Sequence, residues 1–285
     1  MPLRLLFRGG ASLEEGERER TVKHYVRLAA RNQEVPIHLV GAGGTGSVLA
    51  VRLCKLNLAL KALGHPGIDV SIFDPDTVSE ANVGRTIYFE PDVGRPKASI
   101  LATRINQSTG FSWRAVPTEY DPGEQQAAPI LITAVDTGRA REEIGRAIKN
   151  NDDATYWVDC GNSQYHGQVV IGTVHPVPQP EKEDVIGRLP TVLDLYPDIA
   201  DPEKEKDQGP SCSLEAALSQ QDLFINEHVA LEASQILWRL FQKGCLEYSA
   251  VYVSLTPRNT RTLPIDPKAW ERFGYRMDSK CLHAR

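Results

Sequence analysis

The residues of this chain that could do chemistry are of types that handle an anion. Gly41-Ala-Gly43-Gly44-Thr-Gly46 satisfies G-x-G-x-x-G. In that pattern one glycine allows a tight turn, one lets backbone approach a phosphate, and one packs a helix against a strand. Asp74 and Asp76 follow, then Asn82, Arg85 and Lys97, and later Asp136. Asp74 closes an apolar run, where an acid can accept hydrogen bonds from ribose hydroxyls in NAD and ATP alike. A dinucleotide's two phosphates are largely served by the glycine turn, whereas a triphosphate needs more cations and donors along its β and γ groups. Asn82, Arg85 and Lys97 supply those types. Cys212 precedes Ser213-Leu-Glu-Ala-Ala-Leu, a helical pattern. A thiol at a helix N-terminus is biased towards thiolate and so towards nucleophilic use. A neutral loop cysteine fits the same position.

These residues need a sheet to hold them. Pro36-Ile-His-Leu-Val40 reads as a first strand, the glycine cluster as its turn, and Val48 to Leu63 as a helix ending at Gly64. Ile68 to Phe73 is a second strand. Pro96 suits a helix start, which puts Lys97 in the first turn of a helix running to about Asn106, with its ammonium free to swing. Phe111 to Thr118 reads as a strand. Pro129-Ile-Leu-Ile-Thr-Ala-Val135 is a near-continuous apolar run that suits a central parallel strand. Asp136 then falls at a strand's carboxyl end, where open α/β sheets bind ligands. A carboxylate there can hold Mg²⁺ directly or through water, and it can equally cap a helix starting near Gly138. Thr155 to Asp159 and Tyr165 to Val174 read as further strands. Cys160 follows the first of these as a second candidate nucleophile or a packed thiol, and His166 reads as a surface residue.

Together Gly41-x-Gly43-Gly44-x-Gly46, Asp74-x-Asp76-x-Val-x-x-x-Asn82-x-x-Arg85, Gly94-x-Pro96-Lys97 and Asp136 resemble the ThiF, MoeB and ubiquitin-activating superfamily. The resemblance covers roughly residues 36 to 175, and 210 to 255 more loosely. Gly209-Pro-Ser-Cys212-Ser-Leu and Gln221-Asp-Leu-Phe-Ile-Asn226 further resemble the ThiF-family protein of the PRTRC cassette of bacterial mobile elements. The resemblance implies a Rossmann-like α/β adenylation fold, with a mainly parallel central sheet, antiparallel edge strands and helices on both faces. It implies ATP and Mg²⁺ as cofactors, Mg²⁺ on Asp136, and a homodimer. An N-terminal arginine, Arg27 or Arg31, would then reach a neighbouring subunit's ATP site. The implied reaction is attack by a carboxylate, the C-terminal glycine of a ubiquitin-like or ThiS-like small protein, on the α-phosphate. It gives acyl-adenylate and pyrophosphate, with Cys212 then able to take the acyl group as a thioester.

The expected organisation is an N-terminal extension over 1–35, an adenylation domain over 36–255 and a tail over 256–285. The extension carries a short basic helix from about Thr21 to Arg31, more simply a solvated helix face. Residues 176–211 hold seven of the chain's 19 prolines and read as a structureless crossover loop. Leu223 to Phe241 is a long amphipathic helix ending at Gly244, and Leu246 to Leu255 a strand.

Composition narrows the remaining classes. Thirty-two basic against 37 acidic residues give a net charge of −5, which argues against a general nucleic-acid binder. No apolar run approaches ~20 residues, and the first residues are too soon interrupted for a signal peptide, so the expected place is the cytoplasm. The five cysteines are odd in number and widely spaced, and no C-x-x-C pair occurs, which leaves zinc unsupported. Two other readings stand beside adenylation: a nucleotide-binding scaffold without catalysis, and an NAD(P)-dependent oxidoreductase, which would leave Asn82, Arg85 and Lys97 without a role.

Overall fold

A computed structural model describes residues 21–28, 33–123, 127–201, 215 and 219–277. Cys212, Arg31 and Cys281 lie outside the described residues. An eight-stranded sheet organises the chain. Its strands are β2 (Val35–Val40), β3 (Ile68–Phe73), β4 (Arg114–Val116), β5 (Ile130–Thr133), β6 (Tyr156–Asn162), β7 (His166–Thr173), β9 (Tyr248–Leu255) and β10 (Arg258–Pro264), in the order β10-β9-β7-β6-β5-β2-β3-β4. The five strands from β4 to β6 are parallel, and β7, β9 and β10 join antiparallel. This is the mixed α/β sheet that the motifs imply.

Crossover helices connect the parallel strands: α1 (Gly44–Ala62), α2 (Lys97–Thr109) and α3 (Gly138–Ile148). The short α4 (Val192–Leu195) and the long α5 (Ile225–Lys243) cover opposite faces. The glycines of β7 show this directly. A Cβ on Gly167 would strike Val229 of α5, and one on Gly172 would strike the Thr191 backbone ahead of α4; residues of opposite parity on a strand face opposite ways. The strands of the parallel half are buried on both faces, and Ile37, Leu39, Ile72, Ile130, Ile132 and Val158 are fully enclosed. Among the described residues no helix is long and apolar enough to cross a membrane.

Three expectations need correction. The segment expected as a basic helix from Thr21 is extended: β1 (His24–Tyr25) pairs antiparallel with β8 (Cys245–Leu246). His24 is fully buried and donates from Nδ1 to the Ile186 carbonyl at 2.7 Å, while the Tyr156 hydroxyl donates to its Nε2 at 2.9 Å. These tertiary partners outweigh the weak local helix preference. The described part of the proline-rich segment is not structureless either. Val177 donates to the Gly187 carbonyl, Thr191 caps α4, and Ile186, Leu189, Val192 and Leu195 are buried. Finally, residues 256–285, expected as a tail, supply the edge strand β10 and then α6 (Pro267–Trp270), whose Trp270 is fully buried. Five of the seven β10 residues are exposed polar ones, from Arg258 to Thr262, so the strand shows no apolar alternation.

Candidate functional site

The order β4-β3-β2-β5-β6 reverses its direction of winding at β2, because the chain proceeds to β3 and β4 on one side and returns to β5 on the other. A sheet of this kind opens a crevice at the carboxyl ends of the strands where the order reverses. Here a cleft of about 1900 Å³ opens at that point.

The glycine turn forms the cleft's inner wall, and two of its glycines are fixed by close approach. Gly41 has φ +93°, and a side chain on it would strike the Ala134 carbonyl; one on Gly46 would overlap the Gly41 carbonyl. Gly43 is the N-cap of α1, with open space where a Cβ would sit. No side chain caps α1 and its first turn holds no acid. Its unpaired N–H groups and positive dipole therefore face the cleft, the arrangement that binds phosphates and carboxylates.

Around this helix start the expected residues assemble unevenly. Asp74 is 5% exposed and accepts from the Ala42 N–H at 2.6 Å and the Asp76 N–H at 2.9 Å. Burial raises its pKa, and the Lys97 charge and both amides pull the other way. Lys97 is not free to swing: its Nζ lies 2.8 Å from Asp76 Oδ2, and its own N–H donates to the Asp76 carbonyl. Arg85 donates from Nε to the Ala81 carbonyl at 3.0 Å and from Nη1 to Gln221 Oε1 at 3.1 Å. Burial lowers its pKa and the Asp136 charge opposes that fall, which sets the two groups within electrostatic reach. Asp136 is exposed three residues past the carboxyl end of β5. It does not cap α3, since Thr137 does so by accepting from the Ala140 N–H. Asn82 stands apart. Its Oδ1 accepts from the Ser79 N–H and hydroxyl, which closes a short turn, and it does not line the cleft.

Cys160 is a packed thiol. It is 3% exposed, and burial first, then the Asp159 charge, push its pKa far up. A thiol so placed is inert.

Two arrangements escaped sequence reading. Asn226, on α5, accepts from Thr45 at 3.0 Å and from Asn162 at 2.9 Å, and donates to Gln221 at 2.9 Å. Gln221 Oε1 therefore serves both Asn226 and Arg85. The network ties the starts of α1 and α5 to the end of β6. Its sequence signal is the segment from Gln221 to Asn226, part of the family resemblance, with an amide at each end beside a helix start. The second arrangement is the buried pair of Arg141 and Asp159, 3.0 Å apart and 8% and 1% exposed. Arg141 also donates to the carbonyls of Val135, Thr137 and Cys160. It so grips the backbone on both sides of Asp136. An acid inside the apolar run Tyr156-Trp-Val-Asp159 was its sequence signal.

Among the described residues no group of three or more His, Cys, Asp or Glu converges to hold a metal. A cation at Asp136 would need its other ligands from a bound molecule and water, which is the usual manner of Mg²⁺.

Comparison with solved structures places the fold. PaaA, in its selenomethionine form, superposes with a TM-score of 0.53 at 16% identity, over 82% of this chain and 65% of that one. E. coli MccB with ATP superposes at 0.54 and 14%, over 89% and 67%. E. coli MccB with AMPCPP and MccA superposes at 0.54 and 14%, over 81% and 64%. The chain thus spans about two thirds of the length of these structures. Comparison with curated proteins returns no match. Residues 28–269 match the sequence model of the ThiF family, a span that takes in the glycine turn, Asp74, Arg85, Lys97, Asp136 and the Gln221–Asn226 network. The chain belongs to the ThiF family.

Proposed function

We propose that this protein adenylates the C-terminal carboxylate of a small protein or peptide with ATP. The observation that carries the reading is the uncapped start of α1, which faces a cleft lined by Arg85, Lys97 and Asp136. The triphosphate lies along the glycine turn, with its ribose beside Asp74. Arg85 and Lys97 balance its charge, and Lys97 exchanges Asp76 for phosphate. Asp136 is the group that would hold Mg²⁺, which supplies charge neutralisation to the phosphates when bound.

One oxygen of the substrate carboxylate attacks the α-phosphorus, the bond to the bridging oxygen of the β-phosphate breaks, and pyrophosphate leaves. The attacking group is already ionised and needs no general base. The protein's work is alignment and stabilisation of charge by groups already in place. MccB, a structure of the same fold, has been solved with ATP and with AMPCPP and MccA, which supports the nucleotide and the kind of partner. The finer reading has a ubiquitin-like or ThiS-like partner ending in glycine, a homodimer, and Cys212 as acceptor of the acyl group. It rests on the motif resemblance, as does membership of the PRTRC cassette.

ATP:pyrophosphate exchange with candidate small proteins tests the proposal. Exchange is expected for the wild type, to fall at least a hundredfold in Asp136→Ala and Arg85→Ala, and to persist in Cys212→Ala. Tight Mg·ATP binding with no exchange for any protein or peptide carboxylate would overturn it.

A further inference from the structure

The cleft continues past its anion-binding end, and its floor there is one face of the antiparallel arm. Register fixes which residues share that face. Gln168 on β7 lies opposite Gly161 on β6 and Tyr252 on β9, and Tyr252 opposite Arg261 on β10. In the next row His166 lies opposite Ser254, and Ser254 opposite Asn259. All of these residues line the cleft. Gly167, between the rows, turns to the other face against α5.

This floor is polar, and apart from Tyr252, whose hydroxyl accepts from Tyr196 at 2.9 Å, its side chains are short of partners. The Ser254 hydroxyl is enclosed with no hydrogen-bond partner, where a buried polar atom ordinarily has one. Among the described residues the side chains of Gln168, Asn259 and Arg261 make no hydrogen bond or ion pair. Arg85 and Lys97 belong to the anion end and Arg141 is sunk in its pair with Asp159, so Arg261 is the arginine or lysine of the floor. Glu143, the acid that α3 adds to the lining, is held by Arg139 at 2.8 Å.

Distance turns the floor into a ruler. Neighbouring strands lie about 4.8 Å apart, so the three steps from β6 to β10 span about 14 Å. An extended chain covers that in about four residues. A polypeptide whose terminal carboxylate lay beside Asp136 and the end of β6 would bring the residue three or four places earlier over Arg261.

We infer that this floor is the subsite for the carboxyl-terminal segment of the acyl substrate, and that Arg261 selects segments with Asp or Glu three or four places before the reacting carboxylate. The inference rests on the adenylation reading for the position of that carboxylate. Gln168 and Asn259 offer donor and acceptor to the segment's peptide groups, Ser254 gains the partner it lacks, and the guanidinium of Arg261 takes a carboxylate in its fork.

The test pans the full-length protein, with Mg·ATP present, against a library of peptides with free carboxyl termini and six randomised final positions. At least fivefold enrichment of Asp or Glu at the third or fourth place before the end is expected for the wild type. Arg261→Glu should abolish this enrichment and favour Lys or Arg there, and Arg261→Lys should keep most of it. Arg261 is an exposed residue on an edge strand, so these variants leave the core untouched. An empty selection, no acidic preference at those places, or one that Arg261→Glu leaves unchanged would overturn the subsite. Enriched peptides are then tried in ATP:pyrophosphate exchange. A KM raised at least tenfold in Arg261→Glu, with kcat unchanged, supports the assignment. Peptides selected for the acid that start no exchange would remove the adenylation reading and leave the floor as a tail-binding face.

Discussion

Arg141 carries a full charge into the interior, and Asp159 is what makes that tolerable. Removing one partner of such a pair strands the other in a place with little solvent. Asp159→Ala is therefore expected to lower the unfolding free energy by about 3–5 kcal/mol. The measurement is the denaturant midpoint at constant m-value, and a loss below about 1 kcal/mol would show that the interior reorganises around the arginine. The pair also illustrates how far single residues were legible. Asp74, Arg85 and Lys97 stood out because they follow the glycine turn at motif spacing, and Asp136 because it follows an unbroken apolar run. Gln221 stood in a segment noted for its resemblance but without a role, because that role is to accept from Arg85, a residue 136 positions away. Such a link exists only once the sheet has brought both segments to the same edge.

Among elements, the N-terminal strand β1 is held by a histidine whose titration ties it to pH. Burial holds His24 at a pKa of about 4, against 6.5 for an unperturbed ring. The unfolded chain takes up a proton as the pH falls through about 6.5, and the folded chain refuses it until about 4. Stability therefore declines across that window, by about 3 kcal/mol for this ring, and its contribution is constant above and below. Burial holds His38 at about 4 as well, with the Arg114 charge adding to the effect, so it acts in the same direction. Urea midpoints at several pH values should show a slope that is shallower in His24→Phe, whatever that variant's absolute stability; equal slopes would refute the account. The same strand explains why the N-terminal segment was misread. Its residues lack a strong local preference, and long-range pairing with Cys245–Leu246 decides its conformation. The glycine turn and β5 were read correctly, because backbone sterics and an unbroken apolar run are local properties. The polar edge strand β10 shows no such run and could not be seen in advance.

For the molecule as a whole, the prediction concerns linkage. A ligand that binds only the folded chain stabilises it by about 2.7 kcal/mol at a hundred times its dissociation constant. Mg·ATP should therefore raise the thermal midpoint of the wild type by several degrees, and the same concentration should leave Arg85→Ala nearly unmoved. NADH should shift neither, and an NADH shift as large as that of ATP would revive the oxidoreductase reading.

The contact between Lys97 and Asp76 has a further meaning at this scale. The anion end of the cleft is not an unbalanced positive field awaiting a guest, because one of its two cations already has a resident counter-charge in Asp76, whose side chain is 68% exposed. Arrival of a phosphate is then an exchange of partners, in which Asp76 is released to water at little cost because it was mostly hydrated to begin with. On the adenylation reading, such a site keeps its ammonium ordered and aimed before the nucleotide arrives. It also damps capture of stray small anions, since a guest must offer more negative charge than the single carboxylate it displaces. On the adenylation reading, a triphosphate brings that excess of charge where a single halide ion would not.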